Sequence, residues 1–177
     1  MFTDNIENII NSLQTIPNNQ KKINALMDLT GSFGYDNITG TVQTTRQDVI
    51  FSYFRRSVLL ALFDCVSNIT FASSDDAIST IKQVARITNA EIVYSFDNSD
   101  DDIGYVFTRC LSQLTAYISK VSADLPNVVT ETFGTSLPAC VIAYQYYQDA
   151  TRDDEIISRN NPIMPAALST TVELLQY

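Results

Sequence analysis

Three runs of acidic side chains are the first places where chemistry could reside: Asp75-Asp76, Asp100-Asp101-Asp102 and Asp153-Asp154-Glu155. Hard oxygen donors at that density could ligate Ca²⁺ or Mg²⁺. None has the alternating spacing of an EF-hand loop. Each stands where a helix is expected to begin, so end-capping and the positive end of the helix dipole account for them. Asp76 with Glu91 or with Asp102 would form a carboxylate pair of the glycosidase kind if they shared a cleft, and nothing in their spacing requires it. The tyrosines of AYQYYQ (Tyr144, Tyr146 and Tyr147) could stack on a base or sugar. A division between core and contact surface is the simpler expectation for an amphipathic ring.

Other chemistries lack their residues. The chain has no histidine, which removes Ser-His-Asp and Cys-His nucleophiles and the common His-containing metal sets. Cys65, Cys110 and Cys140 are widely spaced and odd in number. They make neither an all-Cys zinc site nor a disulfide framework and are expected as reduced core residues. There is no P-loop and no dinucleotide fingerprint. The expectation is therefore a protein without catalytic residues, metal ligands or a cofactor.

The charge balance points the same way. Twenty acidic and 11 basic residues give a net −9, which opposes a phosphate backbone unless a basic patch is concentrated by folding. The nearest candidates, Lys21-Lys22 and Arg55-Arg56, are small. Nucleic acid and anionic membrane are disfavoured as partners. No stretch approaches the ~20 apolar residues of a transmembrane helix, and the opening MFTDNIENII is acidic, without a signal-peptide layout.

The elements that must carry these residues read as helices. With 177 residues, 45% of them hydrophobic, the chain can form one core. Ile6, Ile9, Ile10 and Leu13 predict a short helix ending before Pro17, and a second is expected over 19–29. GSFGYDNITGTVQTT reads as a loop with a short hairpin near 38–42. VIFSYFRRSVLLALFDCVSNI is apolar almost all round after Ser57, as befits a central helix. The next helix starts at Ser73 or Ser74, and its stripe Ile78, Ile81, Val84, Ala85 meets Thr88 where an apolar residue belongs. The slip onto Ile87, Ala90 and Ile92 predicts a bend or a broad buried face. Ile103, Val106, Phe107, Cys110, Leu111, Leu114, Ile118 and Val121 form an unbroken stripe on a further helix. SLPACVIAYQYY is expected to begin a helix capped by Ser136 with Pro138 in its first turn, and a last helix over 152–159 stops before Asn161-Pro162. The fold class expected is all-α: a helical bundle with short irregular segments and an extended C-terminal tail. It divides into 1–45 (short helices and the Gly/Thr-rich loop), 46–161 (the bundle core) and 162–177 (the proline-containing apolar tail), within one domain.

The C-terminal residues also resemble a known family. SLPACVIAYQYYQDATRDDEIISRNN, with the segment after it, is similar to the end of the DNA circularisation (circulation) proteins of Mu-like phages. The likeness rests on Leu137-Pro138-Ala139, Ala143-Tyr144 and Tyr147, Asp154-Glu155, Arg159-Asn160, Pro162 and Pro165, and Val172-Glu173-Leu174-Leu175. A second likeness is Arg55-Arg56 with Ala61, followed by Phe71-Ala72-Ser73-Ser74-Asp75-Asp76-Ala77. It covers 137–175 with support over 46–90. The family's histidine beside the first proline is replaced here by the run Asn160-Asn161-Pro162, and its Glu-Val-Leu order is inverted. The resemblance implies the family's C-terminal domain. It implies a non-enzymatic component of a contractile phage or prophage tail, near the junction of tube and baseplate hub. The implied partners are tape-measure and hub proteins or further copies of the chain, and the implied location is the virion tail, reached from the host cytoplasm. Two other readings of the residues stand beside it: a tail-associated glycosidase-like hydrolase using scattered acids, and a cytosolic helical adaptor.

The last segment, NNPIMPAALSTTVELLQY, decides how such a protein would make contacts. Pro162 and Pro165 stop the preceding helix and favour an extended course. The tail can fold back as a lid on its own core or dock on a neighbour as a strand or short helix. The candidate interface residues are Tyr144, Tyr147, Arg159, Asn160, Pro162, Ile163, Met164, Pro165, Leu168, Val172, Leu174 and Leu175.

Overall fold

The structure is a computed structural model and describes residues 8, 11, 12, 15, 19–32 and 45–177. The helix expected around Ile6 to Leu13 lies outside the residues described as elements, as do residues 33–44 of the loop expected over 31–45 with its hairpin; Gly31 and Ser32 are helical instead, closing the helix Asn19–Ser32, and Thr45 opens the next one. The chain is predominantly helical, as the sequence predicts, and its described residues include one two-stranded sheet. Its contacts fall into two compact units. One holds the described residues up to Phe71 together with Asp76–Ala123; the other holds Ala72–Asp75 and Asp124–Tyr177.

The first unit contains α1 (Asn19–Ser32), α2 (Thr45–Ser67), most of α3 (Ser74–Asp97) and α4 (Asp101–Ser122). α1 packs on α2, and its Ile23 and Leu26 are fully buried. α2 is the central helix expected. It buries Phe54, Val58, Leu59, Leu62, Cys65 and Val66, a stripe repeating every three or four residues. It is not apolar all round in use, because Leu60 stays 54% exposed. α4 carries Asp101 and Asp102 in its first turn and Lys120 in its last, both favourable to the helix dipole. Its Phe107 meets Phe63 of α2 edge to face, with ring centroids 6.2 Å apart. Val106, expected on the buried stripe, faces solvent. Of the cysteines expected in the core, Cys65 is buried, Cys110 half-buried and Cys140 exposed.

No bend is needed to explain α3. Its buried line is Ala77, Ile81, Val84, Thr88, Glu91 and Ser95, spaced four, three, four, three and four, which is one helix face. The apolar stripe is continued by polar residues. Thr88 is fully buried and its hydroxyl donates to the Val84 carbonyl at 2.8 Å. Between α3 and α4, Ser99 takes a left-handed conformation (φ 61°) and its N–H bonds the Phe96 carbonyl.

The second unit contains β1 (Asn127–Thr132), α5 (Ala139–Tyr147), a 3₁₀ turn (Ala150–Arg152), α6 (Asp153–Asn160) and β2 (Thr171–Gln176). The strands pair antiparallel, Asn127 with Gln176 through Thr132 with Thr171. The sequence reading left β1 out. NVVTET is short and β-branched, but it has no turn leading to a neighbouring strand, because its partner lies some forty residues on. α5 starts two residues later than expected: Pro138 is the N-cap, in extended conformation, and Ser136 donates its hydroxyl to the Leu168 carbonyl at 2.5 Å. The core joins Ala139, Ile142 and Ala143 of α5, Ile156 of α6, and Leu168, Val172 and Leu174 of the terminal segment, with Phe133, Leu137 and Tyr146 packed on it.

Candidate functional site

The first unit holds a buried ion-pair network. Glu91 is 0% exposed and both its carboxylate oxygens are taken: Oε2 by Arg55 Nε at 2.9 Å and Oε1 by Arg56 Nε at 2.9 Å. Arg56 continues outward to Asp100 Oδ2 at 2.6 Å and reaches Ser95 Oγ at 3.4 Å. Arg55 lies 4.5 Å from the centre of the Tyr94 ring. Burial lowers the affinity of the Arg56 guanidinium for its proton, but Asp100 and Glu91 outweigh it and raise its pKa. A cleft of about 620 Å³ opens beside the network, lined by Tyr53, Tyr94, Asn98, Arg56, Asp48 and Asp100 among others.

This geometry removes two candidates that the sequence offered but did not favour. Arg55-Arg56 is no basic patch, since one guanidinium is buried and both are neutralised by acidic partners. Glu91 is no solvated acid and no free general base. Asp76 and Glu91 share α3 fifteen residues apart, about 22 Å at helical rise, far beyond the spacing of a glycosidase pair. Asp102 stands beyond the far end of the same helix. Asp100 accepts from Arg56 and makes no side-chain cap. Among the described residues, no three His, Cys, Asp or Glu side chains gather as a metal-holding group.

The second unit gathers most of the candidate interface residues and uses them internally. Asn160 Nδ2 donates to the Ile156 carbonyl at 2.9 Å and to the Glu173 carbonyl at 2.8 Å, while its Oδ1 accepts from Glu173 N–H at 2.8 Å. One side chain thus ties α6 to β2 in the manner of a neighbouring strand. The Tyr147 hydroxyl donates to Glu155 Oε1 at 3.0 Å and accepts from Leu175 N–H at 2.8 Å. Arg152 pairs with Glu155 at 2.6 Å and lies over the Tyr147 ring at 3.7 Å and the Tyr177 ring at 4.6 Å. Arg159 reaches Glu173 only at 3.9 Å. Leu168, Val172, Leu174 and Leu175 are buried, so the tail is a lid on its own unit.

Two substitutions test this lock. Asn160→Ala is expected to lower stability by about 1–2 kcal/mol, because it leaves two main-chain groups of Glu173 without protein partners; denaturant unfolding measures it. Burial, helped by Glu155, pushes the Tyr147 phenol up to about 12 against the opposing Leu175 N–H. The unfolded phenol ionises near 10, so between the two values the folded chain holds more protons. Stability is therefore expected to fall as pH rises through that window, and Tyr147→Phe should abolish that part of the alkaline slope.

What remains outside is a short apolar tip. Ile163 is 105% exposed and Met164 62%. They sit between Pro162 and Pro165, with the chain fixed on both sides. Asn161, left-handed at φ 42°, closes α6 through its N–H to the Ile157 carbonyl, and Ala139 N–H bonds the Pro165 carbonyl at 3.1 Å. Tyr144 is 64% exposed on α5. Sequence reasoning placed all of these residues in one set. Only burial separates the tip from the lock, and the network around Glu91 was missed because its signal is polar. No protein-family model matches the chain, and no curated protein matches it.

Proposed function

We propose that the chain is a non-enzymatic structural component of a contractile phage or prophage tail, acting near the junction of tube and baseplate hub. The observation that carries this reading is the behaviour of the residues that resemble the Mu-like circularisation proteins. Leu137, Ala139, Tyr147, Glu155, Asn160, Pro165, Glu173 and Leu175 are held by bonds and packing within one compact unit, which favours a structural reading of the motif. It presents Ile163 and Met164 to solvent on a segment held at both ends. Presenting apolar side chains on an already ordered segment reduces the ordering entropy lost on docking. Tape-measure or hub proteins are the partners in this reading, reached from the host cytoplasm before the tail is complete.

Mass spectrometry of purified particles from an induced lysogen tests the assignment. The chain is expected in intact tails at a fixed ratio to the tube protein. Tails that are complete without it would overturn the proposal.

A further inference from the structure

We infer that the outer edge of β1 is a docking site for an extended, positively charged segment of a partner protein, which would add a third strand to the sheet. The argument starts from the register. Phe133 N–H bonds the Thr170 carbonyl at 2.7 Å, so the pairs that exchange hydrogen bonds are those of Glu131 with Val172, Val129 with Leu174 and Asn127 with Gln176. The N–H and C=O groups of Val128, Thr130 and Thr132 therefore point away from β2, and those of Glu173 and Leu175 point away from β1.

The two outer edges are treated differently. The edge of β2 is closed by side chains: Asn160 takes both the N–H and the C=O of Glu173, and Tyr147 takes the N–H of Leu175. Among the described residues, the edge of β1 is closed only at its start, where Asp75 Oδ2 accepts from Val128 N–H at 2.8 Å. Among the described residues, none bonds the outward groups of Thr130 or Thr132, and both residues are exposed. An edge strand with open main-chain groups is a template for another strand. The usual blocks are absent from its centre: there is no proline and no lysine in NVVTET.

Charge selects the occupant. The second unit carries eight acidic side chains and two basic ones, a net −6 of the chain's −9. Glu131 lies within the strand and Asp75 at its end. A second copy would bring an equal negative field to the same edge, whereas a segment with lysine or arginine flanking a β-branched core meets both carboxylates. This inference goes beyond the tail-assembly reading and does not use the Ile163–Met164 tip.

The test uses the full chain, a fluorescein-labelled peptide Lys-Val-Thr-Val-Thr-Val-Lys, and the same peptide with glutamate for lysine. The cationic peptide is expected to bind and to slow amide exchange at Thr130 and Thr132. Thr130→Pro removes an outward N–H while leaving the ladder to β2 intact, and proline is tolerated at such edge positions. It should weaken binding about tenfold, through the lost bond and the blocking ring, with the melting temperature unchanged. Unaltered binding in Thr130→Pro, or no protection at Thr130 and Thr132, would overturn the site. Equal affinity for the acidic peptide would overturn the charge of the partner. Sedimentation showing self-pairing that Thr130→Pro abolishes would put a second copy in the partner's place and overturn it too. If Thr130→Pro does not fold, amide protection in the unaltered chain decides the question alone.

Discussion

Glu91→Ala is expected to lower the unfolding free energy by about 3–5 kcal/mol, the range for removing one partner of a buried ion pair. Glu91 is fully buried and is the shared acceptor of Arg55 and Arg56. Without it, Arg55, 2% exposed in the folded chain, loses the carboxylate that its Nε donates to. Arg56 suffers less, because Asp100 holds its other arm at the surface. The companion experiment replaces the buried pair together. Arg55→Met/Glu91→Leu is expected to be markedly more stable than Glu91→Ala, since the penalty arises from removing one member of a buried pair and not from the absence of an ion pair. A double-mutant cycle in denaturant unfolding reads the coupling directly. Additive single-residue effects would contradict the network.

Ending the chain at Asn161 is expected to unfold the second unit. The deletion removes β2 and with it Leu168, Val172, Leu174 and Leu175, each at most 4% exposed. Full burial of such a side chain contributes about 1.5–3 kcal/mol, so four of them are comparable with the whole stability of a domain. β1 also loses its only strand partner among the described residues. Amide exchange should show rapid exchange throughout α5 and α6 in the shortened chain, with α2 and α4 still protected. Retained protection in α5 and α6 would mean that the tail is not a lid.

The helices were legible because their signals are local. The stripe of α4, the acidic first turns and the stop before Asn161-Pro162 all follow from spacing and end effects, and α1, α4 and α6 fall within a few residues of expectation. β1 was not legible, because a strand is recognised by its partner and this one pairs with residues at the far end of the chain. α3 shows a different limit. Its face continues through Thr88, Glu91 and Ser95, and an apolar pattern cannot register a face that two arginines from α2 complete. The terminal segment was read correctly as apolar and extended, with lid and docking both open. The division of labour within it follows from the lock. Leu168, Val172, Leu174 and Leu175 turn inward once Asn160 and Tyr147 fix the strand, and Ile163 and Met164 are left outside between two prolines. Nothing in residue type distinguishes Ile163 from Leu168; only the three-dimensional path does.

The central claim is that this tip is the surface through which the chain joins a tail. The most direct measurement is affinity capture from an induced lysogen, comparing the unaltered chain with Ile163→Ser/Met164→Ser and identifying captured proteins by mass spectrometry. Both substitutions fall on exposed side chains, so stability should change by no more than about 0.5 kcal/mol. The account predicts tape-measure or baseplate-hub proteins with the unaltered chain and their loss with the double substitution. Equal capture by both chains would place the interface elsewhere, and no tail protein captured by either, with cell-wall hydrolysis by the purified chain, would contradict the account.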